Sequence, residues 1–466
     1  MVPFFPKPIA NKGLVLYLLS VTTVSVAFMQ YAMGIPFLLM GVVEVILFFY
    51  GSNQLTEHWQ NLSPKAFLRK LFWAALIIRL IWVAFSYFFY ESQTGQPFEF
   101  DAADSFAYHG EGEWLSLVSW REVFYYLFWS RTGYSDSGYC LYLTLVYKVF
   151  GVNIIIPRIL KAIYSSLSCV LIYKLVARSM DERIAQIAAI FAMLMPNLIV
   201  YCGLHLKETE MLFLIVAFLE RADFVLRSRK ITLINIALPI ILAMSLFLFR
   251  TVLGVVALFS FVTALVFSPD KVIGKGRKFM IAFWVILALI ILAGGAIMNE
   301  IEETWLNRNA NQELKRYEQT TRGNQWAKYA TGTVMAPMVV VLPFSSMVDT
   351  DQHNQLVLHG GNYVRNFMGV FVLIALFSVV FEKKNWKNFS LIGSFVIGYL
   401  GVISLSGFAN SERFLLPGLP GLIVFWAYGV SVLNAKRYRF VKYWYVIVPV
   451  MEIGWAVFKI GSRGLF

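Results

Sequence analysis

Long apolar runs separated by short polar segments set the pattern of this chain. Runs of roughly 16–25 apolar residues fall near 13–30, 34–50, 71–90, 153–177, 185–201, 206–222, 231–249, 251–268, 279–297, 363–381, 389–406, 413–434 and 443–458. As a helix each is long enough to cross about 30 Å of hydrocarbon. In lipid the backbone must satisfy its own hydrogen bonds, so apolar runs of this length are helices. The expected fold class is all-α, a polytopic transmembrane helical bundle of about 11–13 spans. Four regions follow: an N-terminal hairpin over 1–62, a transmembrane core over 63–297, a long loop over 298–362 and C-terminal helices over 363–466.

The basic residues lie between the runs on alternate sides. They are Lys65, Arg69 and Lys70; Arg178 and Arg183; Arg227, Arg229 and Lys230; Lys271, Lys275, Arg277 and Lys278; Lys383, Lys384 and Lys387; and Lys436, Arg437, Arg439 and Lys442. Clusters of this kind mark cytoplasmic loops. The opposite face then carries segments 91–137 and 298–362 and short tips near 202–207, 250 and 407–412, so the chemistry is expected outside the cytoplasm. Segment 91–137 starts acidic and continues with Trp114, Leu117, Val118, Tyr125 and Phe128 at helical spacing, which predicts amphipathic helices lying in the interface. Segment 298–362 has a charged stretch from Glu300 to Arg322 and an apolar piece from Met335 to Phe344. Loops of that length are usually binding loops or lids.

Composition agrees. The chain has 466 residues, 59% hydrophobic and 14% charged, a balance unlike that of a soluble core. The net charge of +13 is spent on topology, and no nucleic-acid partner is expected. Cys140, Cys169 and Cys202 lack metal-ligand spacing and read as packing residues. No cleavable signal is evident, because the first apolar run is followed at once by another.

Four constellations on the predicted outer side carry candidate chemistry. In Phe100-Asp-Ala-Ala-Asp-Ser-Phe-Ala-Tyr-His109, Asp101 and Asp104 share a face if the segment is helical. Either is a candidate general base, and a solvated acidic loop is the plainer alternative. In Leu204-His-Leu-Lys-Glu-Thr-Glu210, Lys207 offers a point charge to phosphate and Glu208 a group to orient a hydroxyl, or both anchor the helix end at the interface. Arg250 stands between two apolar runs, a costly place that marks a site or a snorkelling arginine. Glu412 and Arg413 precede a span that tolerates Pro417 and Pro420 near its start. There the guanidinium suits a phosphate, or closes the helix end with the neighbouring acid. His109, His205, His353 and His359 lack zinc spacing, and no phosphate loop or hydrolase triad order is present, so no metal and no nucleotide chemistry is expected.

Asp104 with Tyr108 four positions on resembles the acidic loop motif of GT-C glycosyltransferases of the protein mannosyltransferase and aminoarabinose transferase type. Ser137 to Gly151 is similar to the membrane-skimming segment that follows that loop in the family. Arg158 with Leu160, Ala177-Arg178 and the Ala-rich run to Pro196 look like its next two spans. Lys207-Glu208 matches its second acidic position, and Arg413-Phe414 with Pro417 and Pro420 its late Arg-aromatic-Pro pattern. The resemblance covers roughly 70–430. It departs where Ser105 follows Asp104 in place of a second acid, and where the long 298–362 segment stands in place of a soluble tail.

The resemblance implies an inverting transfer of one sugar from a polyprenyl-phosphate donor to a lipid, glycan or protein acceptor on the outer face of the plasma (inner) membrane. Asp104 would be the base and Asp101 its companion, with Tyr108, His109, Lys207, Glu208, Arg250, Glu412 and Arg413 binding substrate. No cofactor is expected, although a divalent cation stays open; membrane lipids are the remaining partner. A surface-glycan polymerase or ligase using Arg308, Arg316 or Arg322, and a lipid or solute transporter, are the alternatives. The topology predicts that a cysteine at position 320 reacts with an impermeant maleimide added outside the cell and one at position 275 does not; the reverse pattern overturns the orientation.

Overall fold

A computed structural model describes residues 4–130, 136–228, 233–267, 283, 336–382, 386–404 and 411–465. Within these residues the chain is all-α, and its one β contact is an isolated bridge between Ala32 and Val348. The apolar run 279–297, the stretch Glu300 to Arg322, and Lys271 to Lys278, Arg229, Lys230, Lys383 and Lys384 lie outside the described residues.

The helices are α1 (Lys7–Ala27), α2 (Ile35–His58), α3 (Pro64–Thr94), α4 (Ala103–Leu117), α5 (Trp120–Tyr125), α6 (Ser137–Phe150), α7 (Ile155–Ser179), α8 (Glu182–Leu194), α9 (Pro196–Val200) and α10 (Glu208–Arg227). They continue with α11 (Leu233–Phe249), α12 (Thr251–Phe267), α13 (His353–Val357), α14 (His359–Val380), α15 (Trp386–Ser404), α16 (Glu412–Ser431) and α17 (Ala435–Ser462). Among the described residues eight are long and apolar enough to cross a membrane: α1, α2, α3, α7, α14, α15, α16 and α17. This fits a multi-pass membrane protein. The bent pair α8–α9 would make a ninth, and α11 and α12 are apolar but shorter. Helix α10 spans the expected run with six ionisable residues, Glu208, Glu210, Glu220, Arg221, Asp223 and Arg227.

Local chemistry sets the ends. Ser63 accepts from the Ala66 N–H ahead of Pro64 at the start of α3, and Gly95 closes that helix at φ 77°, a conformation glycine adopts without cost. Asp181 caps α8 by accepting from the Arg183 N–H at 2.8 Å, and Asn434 caps α17 through the Arg437 N–H at 2.9 Å. The segment after α3 carries two helices, α4 and α5. Ser119 and Glu122 form a reciprocal capping box that restarts the chain after Leu117. Trp114, Leu117, Tyr125 and Phe128 remain exposed on them.

Contacts between helix ends sort the bundle into two rims. At one, Arg183 bonds the carbonyl of Gln60, Arg178 pairs with Glu220 and Asp223, and Arg227 reaches Asn388 at 3.4 Å. Arg437 joins Glu382 at the same rim, at 2.5 Å. These are the basic segments that the sequence placed together. At the other rim meet the ends of α3, α11 and α15, the starts of α10, α14 and α16, and helices α4 and α6.

The span expected at 185–201 is broken by 55° at Pro196. Proline has no N–H, so the Ala192 carbonyl loses its helical partner. Arg79, fully buried in the middle of α3, supplies the replacement: its guanidinium donates to the carbonyls of Ala192 and Met193, both at 3.2 Å, to Ser165 Oγ at 2.6 Å and to its own helix at Ala75. A second buried cap lies opposite, where Glu44 of α2 accepts from the Gly361 N–H at 2.9 Å in the first turn of α14. Glycine is required there, because a Cβ at Gly360 would stand 2.5 Å from that carboxylate and one at Gly361 2.4 Å from Asn197 Oδ1. Arg79→Met is expected to cost about 2–6 kcal/mol, since two orphaned buried carbonyls lose about 1–3 each. Thermal unfolding of the purified chain in detergent checks this, and a wild-type midpoint removes the capping role.

Candidate functional site

Three parts of the chain that are far apart in sequence meet at the second rim. Arg413 stands in the first turn of α16, Glu208 in the first turn of α10 and Asp104 in the first turn of α4. The Arg413 Nε donates to Glu208 Oε1 and its Nη1 donates to Asp104 Oδ2. The two carboxylates differ in environment. The Glu208 side chain is wholly buried, whereas that of Asp104 is 59% exposed. One end of the guanidinium is therefore held inside the protein and the other lies against a carboxylate open to the surroundings.

Further cations gather around Glu208, which lies within electrostatic reach of Arg413, Arg250 and Lys207. Arg250, between α11 and α12, donates from Nη1 to the Tyr399 hydroxyl at 3.2 Å and lies over the Phe414 ring at 4.4 Å. Tyr399 donates in turn to the Phe414 carbonyl at 2.8 Å. Its one hydroxyl thus ties Arg250 to the backbone beside Arg413. Lys207 donates to the last carbonyl of α11, Phe249, at 2.9 Å and pairs with Asp136 ahead of α6. Tyr108, one turn after Asp104, is buried against Tyr139 with ring centroids 5.0 Å apart; burial, chiefly, raises its phenol above the ordinary value.

The remaining predicted residues go elsewhere. Asp101 lies ahead of α4 in a turn with φ 50° and is exposed. It does not share a helical face with Asp104, because α4 starts only at Ala103. The Nδ1 of His109 meets the Tyr147 hydroxyl at 2.8 Å. That hydroxyl also meets His205 Nε2 at 3.1 Å. Burial lowers the pKa of both histidines. Glu412 turns away from its neighbour and accepts from Asn197 Nδ2. His359 is buried and bonded to the Tyr17 hydroxyl at 2.8 Å, and His353 stacks on Phe37. Cys140, Cys169 and Cys202 are buried. Arg308, Arg316 and Arg322, the residues of the polymerase alternative, lie outside the described residues.

Several polar residues at this rim were missed. Lys161 of α7 is fully buried, donates to the Leu204 carbonyl at 2.8 Å and stands 3.7 Å from Glu210. Arg158 is fully buried one turn away and donates to the Pro97 carbonyl. Arg365, Asn362 and Asn197 are buried near Glu412. An available signal was the presence of charged residues inside apolar runs, which face a bundle interior far more often than lipid.

No family model and no curated protein matches this sequence.

The unequal burial of the two carboxylates predicts unequal costs. Glu208→Gln leaves Arg413 without its buried counter-charge and is expected to destabilise the chain by about 3 kcal/mol or more. Asp104→Asn removes an exposed partner, at about 0–1 kcal/mol. Denaturation of both variants in one detergent decides it, and equal losses would remove the distinction between anchor and outer partner.

Proposed function

We propose that the protein is an integral membrane glycosyltransferase of the GT-C type, transferring a sugar from a polyprenyl-phosphate donor to a hydroxyl-bearing lipid, glycan or protein acceptor. The observation that supports it best is the Arg413 guanidinium bonded at once to buried Glu208 and exposed Asp104. A base and a phosphate-binding cation then stand within one side chain of each other, close enough to serve the two ends of one transfer. Arg250 and Lys207 add charge beside them.

In this reading the donor phosphate draws Nη1 of Arg413 off Asp104 while Glu208 keeps hold of Nε. The freed Asp104 carboxylate accepts the proton of the acceptor hydroxyl as its oxygen attacks the anomeric carbon. The bond from that carbon to the phosphate oxygen breaks on the opposite face. The leaving polyprenyl phosphate keeps the electron pair, and its charge is met by Arg413, Arg250 and Lys207. The basic residues of the opposite rim support assigning this chemistry to the non-cytoplasmic face of the plasma membrane.

A transporter is the second reading, favoured by the broken pair α8–α9, since discontinuous helices form substrate sites in such proteins. Transfer assays separate the two. Membranes carrying the wild-type chain are expected to move sugar from a polyprenyl-phosphate donor, with or without EDTA. Asp104→Asn should cut turnover about 10²–10⁴-fold, and Asp101→Asn much less. Arg413→Lys, which removes the two-pronged donor, should weaken use of the donor. Near-normal turnover by Asp104→Asn at matched expression would overturn the mechanism, and a larger loss at Asp101 would move the base there.

A further inference from the structure

Glu412 and Arg413 are neighbours in the first turn of α16, yet they serve different surroundings. Arg413 looks toward Asp104 and Glu208. Glu412 looks toward a niche at the break of α8–α9, where Asn197 donates from Nδ2 both to Glu412 and to Asn362 Oδ1, the latter at 3.0 Å. Arg365, one turn into α14, completes the niche. It is 1% exposed and interacts electrostatically with Glu412, and its Nε and Nη2 have no hydrogen-bond partner. The Asn197 Oδ1 is likewise unpartnered. Glu412, unlike Asn197, Asn362 and Arg365, is only partly buried. Tyr201 lies within electrostatic reach of Glu412, Glu208 and Arg413 and links this niche to the candidate site.

Buried polar groups without partners cost free energy, and a fully apolar niche would avoid that cost. Here the unmet groups are of both kinds, donors on Arg365 and an acceptor on Asn197, beside a carboxylate. The guanidinium has the Glu412 carboxyl group beside it. A ligand that satisfies such a set offers hydroxyls, each able to give and take a hydrogen bond, and carries no net charge itself. We propose that Asn197, Asn362, Arg365 and Glu412 form a subsite that reads the hydroxyls of a neutral sugar ring. This rests on the glycosyltransferase reading, in which the ring lies next to the phosphate held by Arg413.

The test uses binding, so that its failure and that of the transfer chemistry are told apart. Ser411→Cys puts a thiol next to Glu412 at the start of α16, with the native cysteines buried. In the full chain in nanodiscs, the methyl glycosides of glucose, galactose, mannose and arabinose are added during maleimide labelling. At least one neutral glycoside is expected to slow labelling at position 411 severalfold, and methyl glucuronide to do so less. In that background Asn362→Ala and Arg365→Lys should weaken the protection about tenfold or more, the loss expected when a hydrogen bond involving a charged group is removed. Asp104→Asn should keep the protection although it stops transfer. If the two niche variants fail to fold, the labelling of Ser411→Cys alone decides. No protection by any neutral glycoside, stronger protection by the glucuronide, or unchanged protection in the folded niche variants overturns the subsite. Normal transfer by Asp104→Asn with protection intact overturns only the mechanism.

Discussion

A proline in the middle of an apolar helix leaves a carbonyl with no N–H to accept from, and in hydrocarbon no water stands ready to replace it. At Pro196 that debt is met by Arg79, whose guanidinium bonds the carbonyls of Ala192 and Met193. The arrangement is reciprocal, since a guanidinium so deep in the bundle is tolerable only where several acceptors converge on it. Much at the rim that holds Arg413 depends on this pairing. The bend sets where Asn197 meets Glu412 and how residues 201–207 cross to the start of α10. It thereby sets where Glu208 waits for Arg413.

The rim that holds Arg413 brings together the starts of α4, α10 and α16, and this explains its mix of charges. Helices α4, α10 and α16 each bring an acid into their first turn, Asp104, Glu208 and Glu412, where the helix dipole favours negative charge. The cations come from elsewhere: Arg250 from the corner between α11 and α12, Lys207 from just ahead of α10, and Arg413 from beside its own acid. Tyr399, contributed by α15, fixes Arg250 against the backbone of Phe414. The candidate site is therefore held by bonds between helices, and few of its contacts are local in sequence.

Helix positions were legible in the sequence because a span announces itself by length and apolarity. Twelve of the thirteen runs fall on described helices, and the thirteenth, 279–297, lies outside the described residues. The meeting of Asp104, Glu208 and Arg413 was legible only as three separate suspicions, each at an apolar run's outer end. Their contact depends on how α4, α10 and α16 pack, which no local pattern states. The shared face of Asp101 and Asp104 depended on the segment being helical from Asp101 onward, and α4 begins two residues after it. The break at Pro196 was hidden because residues 185–201 stay apolar on both sides of the proline. Arg79 and Arg365 were passed over for the same reason, as single charges inside convincing runs.

The opposite orientations of Glu412 and Arg413 have a consequence for how this chain tolerates change. Adjacent helical residues differ by about 100° in direction, which is what lets one turn deliver an acid to the amides of Asn197 and a base to the carboxylates of Asp104 and Glu208. Slipping α16 by a single residue against its neighbours would rotate that pair and send one charge or the other toward the wrong audience. A slip one way would set the Glu412 carboxylate before Asp104 and Glu208, and a slip the other way would crowd the Arg413 guanidinium against Arg365. The phase of the first turn of α16 is thus fixed by both sets of partners, and an insertion within that helix should be far less forgivable than a substitution.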